Sequence, residues 1–152
     1  LRQRIKESLH QHENSRSKDG IDISLCIINE KQMKLQFSGA VNSLYLIRNH
    51  HITKYRGDKM HIGISYNETP FSNYEINLLT NDRIYLSTDG FVDQFGGENG
   101  QKLKANTFQN LLLKNTELTM NEQKQKLLTA FENWKGKKYH QIDDVLIIGI
   151  KI

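Results

Sequence analysis

The feature that most restricts the fold is a succession of short, β-prone runs between Ile21 and Leu86, several of them joined by connections too short to hold a helix. Ile21 to Ile28 and Met33 to Phe37 flank the polar tetrapeptide Asn29-Glu30-Lys31-Gln32, and Leu44 to Arg48 and Ile52 to Tyr55 flank Asn49-His50-His51. Strands joined this tightly run antiparallel, because a parallel neighbour needs a crossover of a dozen or more residues. Tyr74, Ile76 and Leu78 alternate with polar residues as a half-buried strand, and Ile84-Tyr85-Leu86 is a further apolar run. Gly57 to Phe71, which holds the single proline Pro70, reads as a long irregular connection. The pattern predicts an α+β chain built on antiparallel sheets, not βαβ units.

Helices accompany the strands. Leu1, Ile5 and Leu9 recur at helical spacing with charged residues between them, as the tail of an amphipathic helix that ends in the polar stretch His12 to Gly20. His10 and His12 do not share a helical face, and His50 and His51 diverge at a hairpin tip, so neither pair reads as a metal site. Phe108, Leu111 and Leu112 are placed for one amphipathic helix after the loop Phe95 to Lys104. Thr119-Met120-Asn121-Glu122 has the form of a capping box, in which a threonine hydroxyl and a glutamate satisfy each other's backbone N–H groups. The helix it opens runs through Leu127, Leu128, Phe131 and Trp134, with Trp134 as a core anchor, and Gly136 closes it.

Two stretches carry carboxylates at strand ends. Asn81 to Phe95, NDRIYLSTDGFVDQF, is a polar turn, an apolar strand and then a tight corner, where Gly90 removes the Cβ that would clash and lets Asp89 project. Taken alone this is an ordinary strand exit with solvated aspartates, or one side of a metal site. At the other end of the chain, Asp143 and Asp144 lead directly into Val145 to Ile150, a run apolar on both faces that predicts a central strand. Adjacent carboxylates repel unless a cation or hydrogen-bond donors lie among them. An all-oxygen donor set suits Mg²⁺ or Mn²⁺.

An S/T-D-G turn after an apolar strand, followed far downstream by Asp-Asp and a last apolar strand, resembles the PPM-type metal-dependent serine/threonine protein phosphatases in their SpoIIE-like branch. Phe37-Ser38-Gly39-Ala40-Val41-Asn42 resembles the branch's "aGhNp" segment, and Lys59-Met60-His61-Ile62-Gly63-Ile64 resembles its "g-x-P-L-G" segment. Asp89-Gly90-Phe91-Val92-Asp93-Gln94-Phe95-Gly96 resembles "DGxxDxxg". The likeness runs from about Asp19 to Ile152.

The resemblance implies an antiparallel β-sandwich flanked by helices in four layers. It also implies hydrolysis of phosphoserine or phosphothreonine by water activated at two Mn²⁺ or Mg²⁺ ions about 4 Å apart. Asp89 and Asp143 take the places of metal ligands. Asp144 holds Asp143 or a water, Asp93 supports a metal-bound water or caps the following loop, Gly90 supplies backbone geometry, and Asn42 positions substrate or a loop. The family's first metal motif, an aspartate followed by Gly-His/Met-Gly, is not in this sequence. The expectation is therefore a single domain over residues 1–152 that forms the C-terminal portion of such a phosphatase. Alone it would be incomplete at its N-terminus and weakly active or inactive. Bacterial signalling is the implied setting, with a phosphorylated protein substrate such as an anti-sigma-factor antagonist and a sensor or regulatory domain upstream. The alternative is a non-catalytic, partner-binding module.

Composition narrows the classes. A chain of 152 residues with 37% hydrophobic residues is long enough for a real core. No apolar run is long enough to span a bilayer and no signal-peptide pattern is present, so the segment predicts no membrane contact. The lone Cys26 reads as a small apolar residue, not a nucleophile, and suits a reducing cytoplasm. The net charge of +4 comes from dispersed lysines and arginines without interleaved aromatics, which argues against a nucleic-acid surface and leaves a solvated basic face able to attract acidic or phosphorylated proteins. No serine or cysteine nucleophile has a base nearby in sequence, which disfavours a covalent mechanism.

Overall fold

The structure is a computed structural model that describes residues 1–11, 19–65 and 68–152. In chain order its elements are α1 (Arg2–Ser8), β1 (Gly20–Ile21), β2 (Ile23–Asn29), β3 (Lys34–Ala40), β4 (Leu44–Arg48), β5 (His51–Tyr55), β6 (Ile62–Gly63), β7 (Tyr74–Asn77), β8 (Arg83–Ser87), α2 (Gly90–Asp93), β9 (Phe95–Gly96), β10 (Gln101–Lys102), α3 (Ala105–Lys114), α4 (Met120–Lys135) and β11 (Ile147–Lys151). They fall into two compact units, one of Leu1–Leu44 with Lys54–Leu79 and the other of Tyr45–Thr53 with Thr80–Ile152.

In the first unit, β2, β3 and β7 form an antiparallel sheet in that order, and β1 pairs with β6. The turn between β2 and β3 closes because the Asn29 side-chain oxygen accepts the Gln32 N–H at 3.1 Å, the local bonding that favours asparagine at turn starts. Leu35 and Phe37 on β3 and Ile76 on β7 are buried, and Phe37 stacks with Tyr74 at 6.0 Å between ring centroids. After β3 the chain turns so tightly that a Cβ on Gly39 would lie 2.2 Å from the Asn42 carbonyl oxygen, and one on Gly57 2.4 Å from the same atom. The two glycines are there because the Asn42 carbonyl lies too close for any side chain. Asp22 pairs with the His61 imidazole. Cys26 is half-buried, and desolvation pushes its thiol up to about 11, in keeping with an inert residue. The described part of the Gly57 to Phe71 connection is not wholly irregular: it contains β6, and Met60 and Ile62 are buried. His12 and most of the polar stretch after it lie outside the described residues.

In the second unit one sheet has the order β11-β8-β4-β5, and β9 pairs with β10. Asn49 and His50 both have positive φ, at 48° and 60°, the geometry of the two-residue turn that matches strand twist. Tyr45, Ile47 and Tyr85 from the strands meet Phe91, Leu103, Phe108, Leu112, Leu127 and Phe131 in one core. The Phe91 ring lies 5.1 Å from Phe108 and 5.4 Å from Phe131, centroid to centroid. The capping box forms as the sequence requires: Thr119 Oγ1 accepts the Glu122 N–H at 3.3 Å, and Glu122 accepts the Thr119 N–H at 2.8 Å. Gly136 ends α4 with φ of 60°.

One expectation is corrected here. Among the described residues β11 pairs with β8 alone and stands at the end of its sheet, with Ile148 44% exposed. A run apolar on both faces reports which side chains seek cover, but it carries no information on how many strands flank it. The turn Thr80-Asn81-Asp82 also does more than enter β8. The Asp82 carboxylate is buried and receives two bonds from Arg48, at 2.8 and 2.6 Å, the two-pronged geometry that guanidinium and carboxylate share.

Candidate metal centre

The carboxylate-bearing corners are joined through their backbones within the second unit. Where β8 ends, the Thr88 N–H donates to the Leu146 carbonyl at 3.0 Å. The Thr88 hydroxyl donates to the Asp144 carbonyl at 2.9 Å and accepts the Leu146 N–H at 3.0 Å. Thr88 thus clasps the approach to β11 by three bonds, extending the β8–β11 ladder past Ser87 and Ile147. Gly90 then packs so closely that a Cβ there would lie 2.4 Å from the Asp144 carbonyl oxygen and 3.3 Å from that of Asp143. Its place in the motif is steric: only a residue without a side chain lets these two backbones touch.

Asp89 sits between Thr88 and Gly90 as the residue preceding α2. Its carboxylate is exposed and forms no capping hydrogen bond. Asp143 is exposed too. One of its oxygens accepts the Asp144 N–H at 2.7 Å, and its carbonyl accepts the Gln141 side-chain N–H at 2.8 Å. Asp93 lies half-buried at the end of α2 and forms an ion pair with Lys102 at 2.7 Å. The Asp144 side chain is exposed, whereas its carbonyl is the group held by Thr88. Asn42 belongs to the first unit, where its carbonyl is wedged between Gly39 and Gly57. Among the described residues no group of three or more His, Cys, Asp or Glu side chains is drawn together as a metal site.

Two residues that sequence reasoning did not single out organise this corner. Thr88 is the first letter of the S/T-D-G motif, and its hydroxyl is the clasp. Gln94 is fully buried, and its amide donates to the carbonyls of Phe95 and His140, both at 2.9 Å. The Gln94 backbone carbonyl receives the Trp134 indole N–H at 3.0 Å. A glutamine inside an otherwise ordinary loop gives no sequence signal for this; the position within "DGxxDxxg" is the only hint.

Antiparallel sheets accompanied by helices are also the arrangement of the PPM phosphatase fold. The structure matches the SiaA-PP2C domain of Pseudomonas aeruginosa with a TM-score of 0.86 and 26% identity, over 99% of this chain and 57% of that chain. It also matches the Mn-presoaked phosphatase domain of the cell fate determinant SpoIIE from Bacillus subtilis, with a TM-score of 0.62 and 16% identity, over 86% of this chain and 56% of that one. For the PPM Ser-Thr phosphatase MsPP from Mycobacterium smegmatis, in complex with cacodylate, the TM-score is 0.66 and the identity 14%, over 99% of this chain and 69% of that one. At the two lower identities the likeness is one of fold. The sequence matches the family model of stage II sporulation protein E over residues 1–152, and the chain belongs to that SpoIIE family. No curated protein sequence matches it.

Proposed function

We propose that this chain supplies one side of the active site of a metal-dependent phosphatase acting on phosphoserine or phosphothreonine in proteins, in a bacterial signalling pathway. Asp89 and Asp143 are the carboxylates assigned to a divalent cation, Mn²⁺ or Mg²⁺. The observation that carries this reading is the Thr88 clasp together with the Gly90 contact, which fix the backbone of Asp89 against that of Asp143 and Asp144.

The donor chemistry fits a hard cation in part. Two exposed carboxylates on rigid backbone are the kind of protein ligation with which Mg²⁺ is held when water and substrate phosphate complete its shell. A bound ion of this type neutralises phosphate charge and acidifies water. What the chain does is fix the backbones that carry the two carboxylates, and neither carboxylate is drawn into an ion pair with any described residue. Asp144 steadies the site through the carbonyl that Thr88 grips. Asp93, already paired with Lys102, is assigned to the support of the loop after α2. The chain spans 57% of the SiaA chain, and a second ion with its remaining ligands is assigned to the complete domain.

The substrate is proposed to be a small phosphorylated signalling protein, such as an anti-sigma-factor antagonist, with control from a sensor or regulatory domain in the same polypeptide and activity in the cytoplasm. Among the described residues no helix is long and apolar enough to cross a membrane. The test is hydrolysis of p-nitrophenyl phosphate by the full-length protein with added Mn²⁺. Turnover is expected to depend on the metal and to fall at least about 100-fold in Asp89→Asn and in Asp143→Asn, the scale of losing a group that stabilises transition-state charge. Unchanged turnover in both variants would refute the assignment of these two carboxylates, whereas no metal-dependent turnover by the parent protein would leave a non-catalytic module.

A further inference from the structure

The lysines around the carboxylate corner are not equivalent. Lys102 is paired with Asp93 at 2.7 Å, and Lys135 with Glu132 at 2.8 Å. Lys137 and Lys138 stand exposed on the turn that follows α4, and among the described residues neither has a carboxylate partner. Lys138 instead lies over the Tyr139 ring, 5.4 Å from its centroid.

This turn is fixed to the site. The buried Gln94 amide grips the His140 carbonyl at 2.9 Å, and the Trp134 indole returns a bond to Gln94 at 3.0 Å. The Gly97 N–H donates to the Trp134 carbonyl at 2.8 Å, and Gly100 packs so closely on Tyr139 that a Cβ would lie 2.6 Å from its hydroxyl. The segment before and after the two lysines is therefore stitched to the loop that begins at Asp93. From Lys138 to Asp143 the chain covers at most ~18 Å even when fully extended. A substrate peptide with its phosphoresidue at the carboxylate corner can reach the turn within about five residues, at ~3.5 Å each.

We propose that Lys137 and Lys138 form a docking turn for acidic side chains that flank the phosphorylated serine or threonine of the substrate. The proposal rests on the phosphatase reading of the same corner and adds the chemistry that selects among phosphoproteins. Two ammonium groups without carboxylate partners among the described residues, on a turn whose neighbours are fixed to the loop after Asp93, favour Asp or Glu on the substrate. They do so by raising the rate of encounter, which tightens binding in proportion, and by fixing register.

The test compares phosphoserine decapeptides carrying Asp and Glu flanks with otherwise identical peptides carrying Asn and Gln, using the full-length protein, Mn²⁺ and low salt. The acidic peptides are expected to show a kcat/KM roughly 5- to 10-fold higher, a preference that salt screens. Lys137→Ala combined with Lys138→Ala should abolish it while leaving p-nitrophenyl phosphate hydrolysis unchanged. Fluorescence anisotropy of the same labelled peptides on Asp89→Asn protein reads docking without turnover, and loss of the acidic preference there in the double lysine variant supports the proposal even if no hydrolysis is detected. An acidic preference that survives the double variant, no preference at all, or equal binding of an unrelated RNA would overturn it. Loss of all metal-dependent hydrolysis with docking intact would instead strike the phosphatase reading alone.

Discussion

Replacing Gly90 by alanine puts the proposed geometry under direct strain. The added Cβ would stand 2.4 Å from the Asp144 carbonyl oxygen and 3.0 Å from its carbonyl carbon, where ordinary van der Waals contact begins at 3.4 Å. One backbone has to retreat by roughly 1 Å, a shift that well-packed structure resists at a cost of about 1–3 kcal/mol. That retreat separates the backbone of Asp89 from the entrance to β11. A misplacement of about 1 Å costs on the order of 100-fold in a reaction that depends on placement. Gly90→Ala in the full-length protein should therefore reduce Mn²⁺-dependent turnover of p-nitrophenyl phosphate by about that factor and weaken Mn²⁺ binding in calorimetry. Gly136→Ala is the matched control. Gly136 has φ of 60° and ψ of -157°, a conformation nearly confined to glycine, and a methyl group there would meet nothing within 4 Å, so its substitution strains the helix end by about 1–3 kcal/mol. Both variants should melt at lower temperature, but only Gly90→Ala should lose turnover. Turnover and Mn²⁺ affinity within about twofold of the parent in Gly90→Ala would refute the idea that this close approach sets the ligand positions.

Other outcomes follow from single interactions. Asp82→Ala leaves Arg48 without the buried carboxylate that holds it at 2.8 and 2.6 Å; because the Arg48 side chain is 34% exposed and water can reach it, urea melts should show a loss of about 1.5–3 kcal/mol. Thr119→Ala removes one half of the capping box at the start of α4 and should cost about 1 kcal/mol without changing catalysis. With its thiol pushed up to about 11 by desolvation, Cys26 is protonated in the folded chain across the range where an unfolded thiol already ionises. Alkylation by iodoacetamide at pH 8 should thus run about 100-fold slower in native than in urea-unfolded protein, and the gap should narrow as the pH rises toward 11. Equal rates at pH 8 would show the thiol to be solvated.

Much of the second unit could be read locally. The capping box, the stop at Gly136 and the tip at Asn49 and His50 all stand where the sequence puts them, because each is decided by residues within one or two turns of chain. The candidate ligands were legible by resemblance to a motif, and the sequence also marked Gly90 as a place where the backbone had to be free of a side chain. Neither source said what that freedom serves. The partner that makes a Cβ impossible is the Asp144 carbonyl, more than fifty residues away.

Sequence alone determined the alternation of strands and helices, the antiparallel pairing of neighbours in the chain, and the concentration of carboxylates at two strand ends. These are short-range properties, set by side-chain periodicity, turn chemistry and the distance a few residues can span. Only the tertiary structure decided that β11 stands at the end of its sheet, that Asp82 is buried beneath Arg48, and that the Thr88 hydroxyl grips the Asp144 carbonyl. Those facts depend on which distant backbone groups arrive together. A hydroxyl, a carboxylate or an apolar run carries the same chemistry in the sequence whether it meets such a partner or water.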